Sequence, residues 1–600
     1  MDEDAEMRRI QKLLEEVEVS SSEDEETVEG DVPASGSEVE EDYLEEDEHV
    51  PDSDCYESDP DDLPDQPQQK KPKIHGWKGK DKATWWKKDA PKFLGRTRSS
   101  NIIKFMPGLK GPALNVNSPA DFWGVFITPE IIDLLVEHTN SIIATQKGKY
   151  TQSCRSKDTD VIEMNALIGL LMLAGTYHAS RLHLADIWKA DGTGIEVFRL
   201  TMSLPRFRFL LRCLRFDDKA TRDERKKVDK LTHIRQVFQM FVENCKKNYT
   251  PSEFVTIDEM LIAFRGNCPF RQYIPSKPAK YGIKIHALCD AKTFYVCNME
   301  IYAGTQPDGP YKADKQYNSS QAVVTRLISD ISGSARNVTF DNWYTSYPLV
   351  ESLLHDHKLT AVGTLRKNKR EIPPEFLVTK NRPSVDSMFG FRDNLTLVSY
   401  IPKSKARNKK KNVVLLSSMH HDDRIDKDTG DDKKPEIITF YNSTKGGVDV
   451  VDMMMNKYSV SRNSRRWSLT VFFALLNISC VNAFVLYAHN PQNKLKRRKF
   501  IKEVCMMLLE GSLKRRLQNI RLQRGLRAGI ARLLPEAAVA TTSSQSLQGQ
   551  AKRCAFCPRS KDRKVKTVCS TCGKHVCNDH SKVTVSCTGC ENTASGGESE

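Results

Sequence analysis

The chain of 600 residues carries 91 basic and 78 acidic side chains, and they are not evenly mixed: residues 1–65 hold 28 of the acids and three of the bases. The other 535 residues therefore bear a net charge of +38, which implies a polyanionic partner, nucleic acid the first candidate. Sixteen cysteines, nine scattered and seven between Cys554 and Cys590, follow no recognisable secretion signal, which excludes a disulfide-framed secreted protein and indicates cytosol or nucleus.

In chain order, residues 1–75 are acidic, rich in Ser and Pro and poor in apolar periodicity, which predicts a disordered tail. Residues 76–117 read as a basic linker containing Trp77, Trp85, Trp86, Lys87 and Lys88. From 118 to 253 the apolar spacing is helical. Thr128-Pro129 opens one helix, and others are predicted over 161–174, 206–215 and 234–248. Arg206, Arg208, Arg212 and Arg215 on these helices face either DNA or solvent.

Near residue 254 the period changes to that of strands, predicted over 254–260, 282–290 and 293–303. A helix over 320–331, a strand over 337–341, a helix over 347–357 and a strand over 359–365 follow. The order β-β-β-α-β-α-β is that of a ribonuclease H-like core, 254–372, completed by 435–457 after an insertion domain at 373–434 that holds the polybasic run Lys403 to Lys411. The stretch from Val471 to Ala488 approaches the length of a membrane span, but Asn477, Ser479 and Asn482 interrupt it, which predicts a buried helix and no membrane. Residues 458–536 continue as helices, and 537–552 read as a linker.

Two groups of side chains carry chemistry. Asp258 and Asp341 end the first and fourth strands, and Asp449 and Asp452 lie three apart on a helix that begins at Gly446-Gly447, so either or both can face one site. Each alone fits a strand end, an Asx turn or a helix cap. Together they supply the all-oxygen ligand set of a pair of Mg²⁺ or Mn²⁺ ions spaced about 3.5 to 4 Å for phosphodiester cleavage. Glu259, next along the strand, is expected on the opposite face and is left out.

The second group fills residues 553–591. Cys554-x2-Cys557, Cys569-x2-Cys572, Cys577-x2-His580 and Cys587-x2-Cys590 provide eight ligands for two tetrahedral Zn²⁺ ions, with His575 a spare. An interleaved cross-brace assigns Cys554, Cys557, Cys577 and His580 to one ion, and Cys569, Cys572, Cys587 and Cys590 to the other. Such a module binds DNA, a chromatin protein or a ubiquitin-transfer partner. Basic runs at 494–499, 514–532, 552–553 and 559–566 suit phosphate contact or nuclear import, which favours the nucleus.

The run Thr256-Ile257-Asp258-Glu259, Phe264-Arg265-Gly266-Asn267-Cys268-Pro269-Phe270-Arg271, Lys277-Pro278, Lys280-Tyr281-Gly282, Asp341-Asn342-Trp343, Val362-Gly363-Thr364, Asn368-Lys369-Arg370-Glu371-Ile372-Pro373, Lys445-Gly446-Gly447-Val448-Asp449 and Arg466-Trp467 resembles the piggyBac transposase family from about residue 120 onward. The resemblance implies a dimeric DNA transposase that cuts and pastes at TTAA sites through hairpin intermediates. It assigns Asp258, Asp341 and Asp449 as catalytic metal ligands with Asp452 accessory, and Arg366 and Lys369, with the neighbouring Arg370, as target-DNA contacts. It also implies that the zinc module recognises transposon ends and that 118–253 and 458–536 form a split dimerisation and DNA-binding domain. The alternative is a domesticated nuclear DNA-binding or chromatin protein that keeps the fold without transposing.

Overall fold

A computed structural model describes residues 76–91, 98–150, 156–275, 277–307, 319–403, 411–534, 552–561, 563–569 and 572–582. The tail at 1–75, most of the linker at 537–552 and the pair Cys587 and Cys590 lie outside them. The chain divides into two compact units, one built from residues up to Phe198 and Met202–Leu509, the other from Arg199–Thr201 and the residues from Glu510 on.

The first unit is organised by one sheet. Its centre is formed by β1 (Phe254–Ala263), β2 (Tyr281–Asp290), β3 (Val296–Ile301), α1 (Ser320–Leu327), β4 (Asn337–Phe340), α2 (Tyr347–His355) and β5 (Thr360–Thr364), in the expected alternation. The spatial order is β3-β2-β1-β4-β5, with β1, β4 and β5 parallel and β2 and β3 antiparallel to their neighbours. Asn337, Val338, Thr339 and Phe340 are all buried, as a parallel strand covered on both faces requires. Register then decides the geometry of the strand ends. β4 stops at Phe340 beside Ile257, so β1 loses its neighbour at Asp258, where the strand becomes partly exposed.

The region expected as a separate insertion domain instead prolongs this sheet. β6 (Asp386–Arg392), β7 (Leu395–Ile401) and β8 (Val413–Ser417) form an antiparallel meander, and β8 pairs with β5. Val398, Tyr400 and Leu415 share a cluster with Val362 of β5, so the core is continuous across the junction. The polybasic run falls largely outside the described residues.

Residues 76–117, expected as a linker, also differ from that reading. Gly76–Lys78 and Trp85–Lys87 form a hairpin that joins the sheet edge through Lys87 and Phe391 of β6. The tryptophans explain why. Trp86 is 1% exposed, its indole N–H donates to the Glu371 carbonyl at 2.9 Å, and its ring meets Tyr347 edge-on, while Trp77 meets Phe376 in the same way. Burying the Trp86 indole and packing Trp77 edge-on against Phe376 favours a fixed hairpin over a solvated linker.

After β8 come α3 (Glu436–Thr444), α4 (Gly447–Lys457) and α5 (Trp467–Ala488). Helix α5 is long and apolar enough to cross a membrane, yet its apolar window is wholly buried within the protein. The three polar residues that interrupt it each have a partner. Asn477 accepts from the Val460 N–H at 3.0 Å, Ser479 accepts from the Trp123 indole at 2.8 Å, and Asn482 bonds both the N–H and the C=O of Val296 at 2.9 and 3.0 Å. Asn482 thereby closes the outer edge of β3, which a hydrocarbon environment could not do. Replacing Asn482 by Ala strands both groups of Val296, and we expect a loss of about 2 to 4 kcal/mol in denaturant unfolding, against a near-neutral effect if the edge were solvated.

The predicted helices of the preceding segment are present as Pro129–Gln146, Val161–Thr176, Leu204–Cys213 and Arg235–Asn248. Arg206 corrects one expectation, for it faces neither solvent nor DNA. Its guanidinium is buried and bonds Glu163 through two nitrogens, at 2.9 and 2.5 Å, and the Lys157 carbonyl at 2.8 Å. An arginine at this spacing reads as a polar face because sequence periodicity cannot show a carboxylate waiting on the neighbouring helix.

Candidate active site

Parallel register brings the first two aspartates together. With Ile257 beside Phe340, the next residues of β1 and of the loop after β4 are Asp258 and Asp341, at the carboxyl end of the sheet where α/β folds place their ligands. Asp341 accepts the N–H groups of Trp343 at 3.0 Å and Tyr344 at 3.4 Å, an Asx turn that fixes its carboxylate. Tyr344 is held in turn by His286, whose Nδ1 lies 2.6 Å from its hydroxyl. Burial pushes the His286 pKa down to about 3, so the ring is neutral across the physiological range.

Helix α4 supplies the other carboxylates. Its start is fixed by Thr256, two residues before Asp258 and on the same face of β1, which donates to the Thr444 carbonyl at 2.5 Å. Gly447 meets the same threonine so closely that an added Cβ would lie 2.6 Å from Thr256 Oγ1. Only glycine lets the first turn of α4 approach the face that bears Asp258. Asp449 occupies that turn with its carboxylate largely exposed, and Asp452 follows one turn later, partly buried.

The electrostatics tie these groups to one another. Burial, then the neighbouring Asp341 and Glu259, raise the Asp258 pKa well above the usual carboxylate range. Burial also raises that of Asp452, opposed by Lys277 and reinforced by Asp449. Lys277 stands among them, its Nζ 3.7 Å from Asp449 Oδ1 and 3.5 Å from the Glu259 carbonyl. Burial works against its charge, but Asp258, Asp449, Glu259 and Asp452 hold its pKa above the ordinary lysine value.

Sequence reading missed Lys277 except as part of a family pattern, because a lysine in a basic loop carries no signal of where its tip lies. Glu259 is on the opposite face, as expected, paired at 3.3 Å with Lys284, whose ammonium covers the Trp343 ring. Its field nevertheless reaches Asp258 and Lys277.

The donor set fits a hard divalent cation: it is made of carboxylate oxygens, one of them buried against another, with the single charge of Lys277 only partly offsetting them. Among the described residues no three of these carboxylates bring ligand oxygens within 4.8 Å of one another, so they do not form a closed cage in this structure. A pH consequence follows. The folded chain holds the Asp258 proton to higher pH than the unfolded chain, whose carboxyl titrates near 3.8, so the folded form binds more protons as pH rises from there. Stability therefore falls through that window until the raised pKa is passed. In magnesium-free buffer, Asp258→Asn should melt higher than wild type at neutral pH, by roughly 2 to 4 °C per kcal/mol relieved, with the difference vanishing near pH 4; equal melting at both pH values would refute the assignment.

Arg366, Lys369 and Arg370 lie on the loop after β5. Arg366 Nε donates to Asn342, beside Asp341, at 3.3 Å, and Arg366 and Arg370 are exposed.

In the second unit, Cys554, Cys557, Cys577 and His580 bring one ligand atom each to within 4.8 Å of all the others, close enough to hold one ion. Sγ of Cys577 lies 3.6 Å from that of Cys557 and 3.2 Å from His580 Nδ1. This is the first set of the interleaved assignment, and its three thiolate sulfurs and one imidazole nitrogen suit a zinc-like ion. Cys569 begins a turn closed by the Gly573 N–H at 2.9 Å, and Cys572 is exposed. His575, the spare, instead has Nδ1 3.0 Å from the Val565 carbonyl.

Comparison with known proteins defines the class first. A family profile described as Transposase IS4 matches residues 118–484. Two Homo sapiens proteins are each 24% identical to this chain over 411 residues, 66% of it: PiggyBac transposable element-derived protein 3 and the Chimeric ERCC6-PGBD3 protein. The match spans 65% of the first and 36% of the second. A solved piggyBac transposase, in a synaptic complex with hairpin DNA, is 36% identical with a TM-score of 0.68, covering 79% of this chain and 98% of that one. The chain belongs to the piggyBac transposase family.

Proposed function

We propose that the protein is a nuclear, homodimeric DNA transposase that excises and reinserts DNA at TTAA sites by metal-dependent strand cleavage and joining on a ribonuclease H-like core. The observation that supports this reading is the meeting of Asp258 and Asp341 on adjacent parallel strand ends, with the first turn of α4, which carries Asp449, packed closely on Thr256 of the same strand at Gly447. These carboxylates would hold Mg²⁺ or Mn²⁺, which supplies an activated attacking oxygen and a stabilised leaving one.

The chain's own groups do the rest. The Asx turn at Asp341 and the bond from the Glu259 N–H to Asp258 at 2.7 Å fix two carboxylates before DNA arrives. Lys277 balances their charge, and Arg366, Lys369 and Arg370 would take target phosphates. The cysteine module, holding two Zn²⁺ through Cys554, Cys557, Cys577, His580, Cys569, Cys572, Cys587 and Cys590, would read the transposon ends.

The test is a nicking assay on a TTAA-flanked terminal repeat with Mg²⁺ or Mn²⁺. Cleavage supports the transposase. DNA binding without cleavage favours a domesticated DNA-binding protein, a reading suggested by the one Homo sapiens relative named as transposable element-derived.

A further inference from the structure

The hairpin at residues 76–87 has a second property besides covering a sheet edge. Its lysines Lys80, Lys82 and Lys87 are exposed, and among the described residues none of them forms an ion pair, whereas other surface lysines such as Lys227 do, with Glu224 at 2.9 Å. The acid in the same turn is consumed locally: Asp81 accepts the N–H groups of Ala83 and Thr84 at 3.0 and 2.9 Å and bonds the Thr84 hydroxyl.

The turn is also fixed against the basic loop that follows β5. Lys80 Nζ donates to the Lys367 carbonyl at 2.8 Å, the Asp81 N–H to that of Arg370 at 2.9 Å, and the Trp86 indole to that of Glu371. At Gly79 an added Cβ would lie 3.0 Å from the Glu371 carbonyl oxygen and 3.2 Å from that of Arg370, so the two backbones are in direct apposition. The same loop reaches the carboxylate site through the bond from Arg366 to Asn342. A rigid basic ledge thus runs from the hairpin turn to the residue beside Asp341.

We propose that Lys80 and Lys82 extend the Arg366–Arg370 loop into one surface that grips the phosphate backbone of duplex DNA entering the carboxylate site. The inference rests on the transposase reading given above and adds to it an N-terminal element that positions target DNA. Fixed lysines that neutralise phosphates release counterions, and each contact contributes about 0.9 to the slope of log affinity against log salt. The rival explanation is that the lysines only keep a sheet edge from pairing with another chain.

The experiment uses the full chain and a 40-base-pair duplex of arbitrary sequence with a central TTAA, titrated from low to high salt. The double variant Lys80→Ala, Lys82→Ala should flatten the slope by about 2 and weaken binding severalfold, and the single variant Lys82→Ala, which breaks no bond of the turn, should flatten it by about 1 with an unchanged melting temperature. A control variant, Lys226→Ala with Lys227→Ala, removes lysines paired with acids and should leave the slope as it is. An unchanged slope in the double variant, with or without new aggregation, overturns the ledge while leaving the transposase reading intact. Failure of the wild-type chain to bind the duplex at all overturns both.

Discussion

Asp258→Asn is expected to lower strand cleavage by about 10³-fold or more, equivalent to about 4 kcal/mol of transition-state stabilisation, while the affinity for DNA stays within a few-fold of wild type. The reasoning is electrostatic. Asp258 is deeply set, and burial and Asp341 both raise its pKa. A cation bound there would have to displace a proton, so its affinity should climb with pH as the carboxyl ionises.

Asparagine keeps the shape and an amide oxygen but cannot carry the charge, so ion binding is lost while the strand pairing around Ile257 is untouched. Calorimetry in two buffers of different ionisation enthalpy would show proton release on Mn²⁺ binding to wild type and none for the variant. Retained cleavage by Asp258→Asn would remove the carboxylate cluster from the chemistry.

The second large effect concerns the cysteine module. Its described residues offer little core, with Cys554, Val576 and Cys577 the buried apolar side chains, so a bound ion must contribute much of its folding, on the order of 10 to 16 kcal/mol for comparable sites. We expect Cys577→Ser to release one zinc per chain and to open residues 552–582 to protease. The double variant Cys557→Ser with Cys577→Ser discriminates the wiring. Their sulfurs lie 3.6 Å apart, within reach of a single ion, so the double variant should still lose only one. Loss of two ions by metal analysis would mean that neighbouring pairs along the chain, and not interleaved ones, share each zinc.

Much of this was legible from residue order. The switch from helical to strand spacing near 254 and the β-β-β-α-β-α-β alternation follow from local apolar patterning. So do the buried character of α5 and the pairing of cysteines, because each depends on residues close in sequence. Lys277 and the role of Glu259 were not legible, since their effects come from where flexible tips end.

The sequence by itself determined which side chains are available: four aspartates in three segments, eight zinc-type ligands and a surplus of positive charge. Tertiary structure alone decided that β6, β7 and β8 extend the central sheet instead of folding apart, and that a tryptophan hairpin belongs to it. It also decided that Arg206 turns inward and that Asp258 faces Asp341. The reason is common to all of these: strand register, edge pairing and the approach of α4 at Gly447 are contacts between residues tens to hundreds apart, fixed by packing and hydrogen-bond partners that local periodicity does not encode.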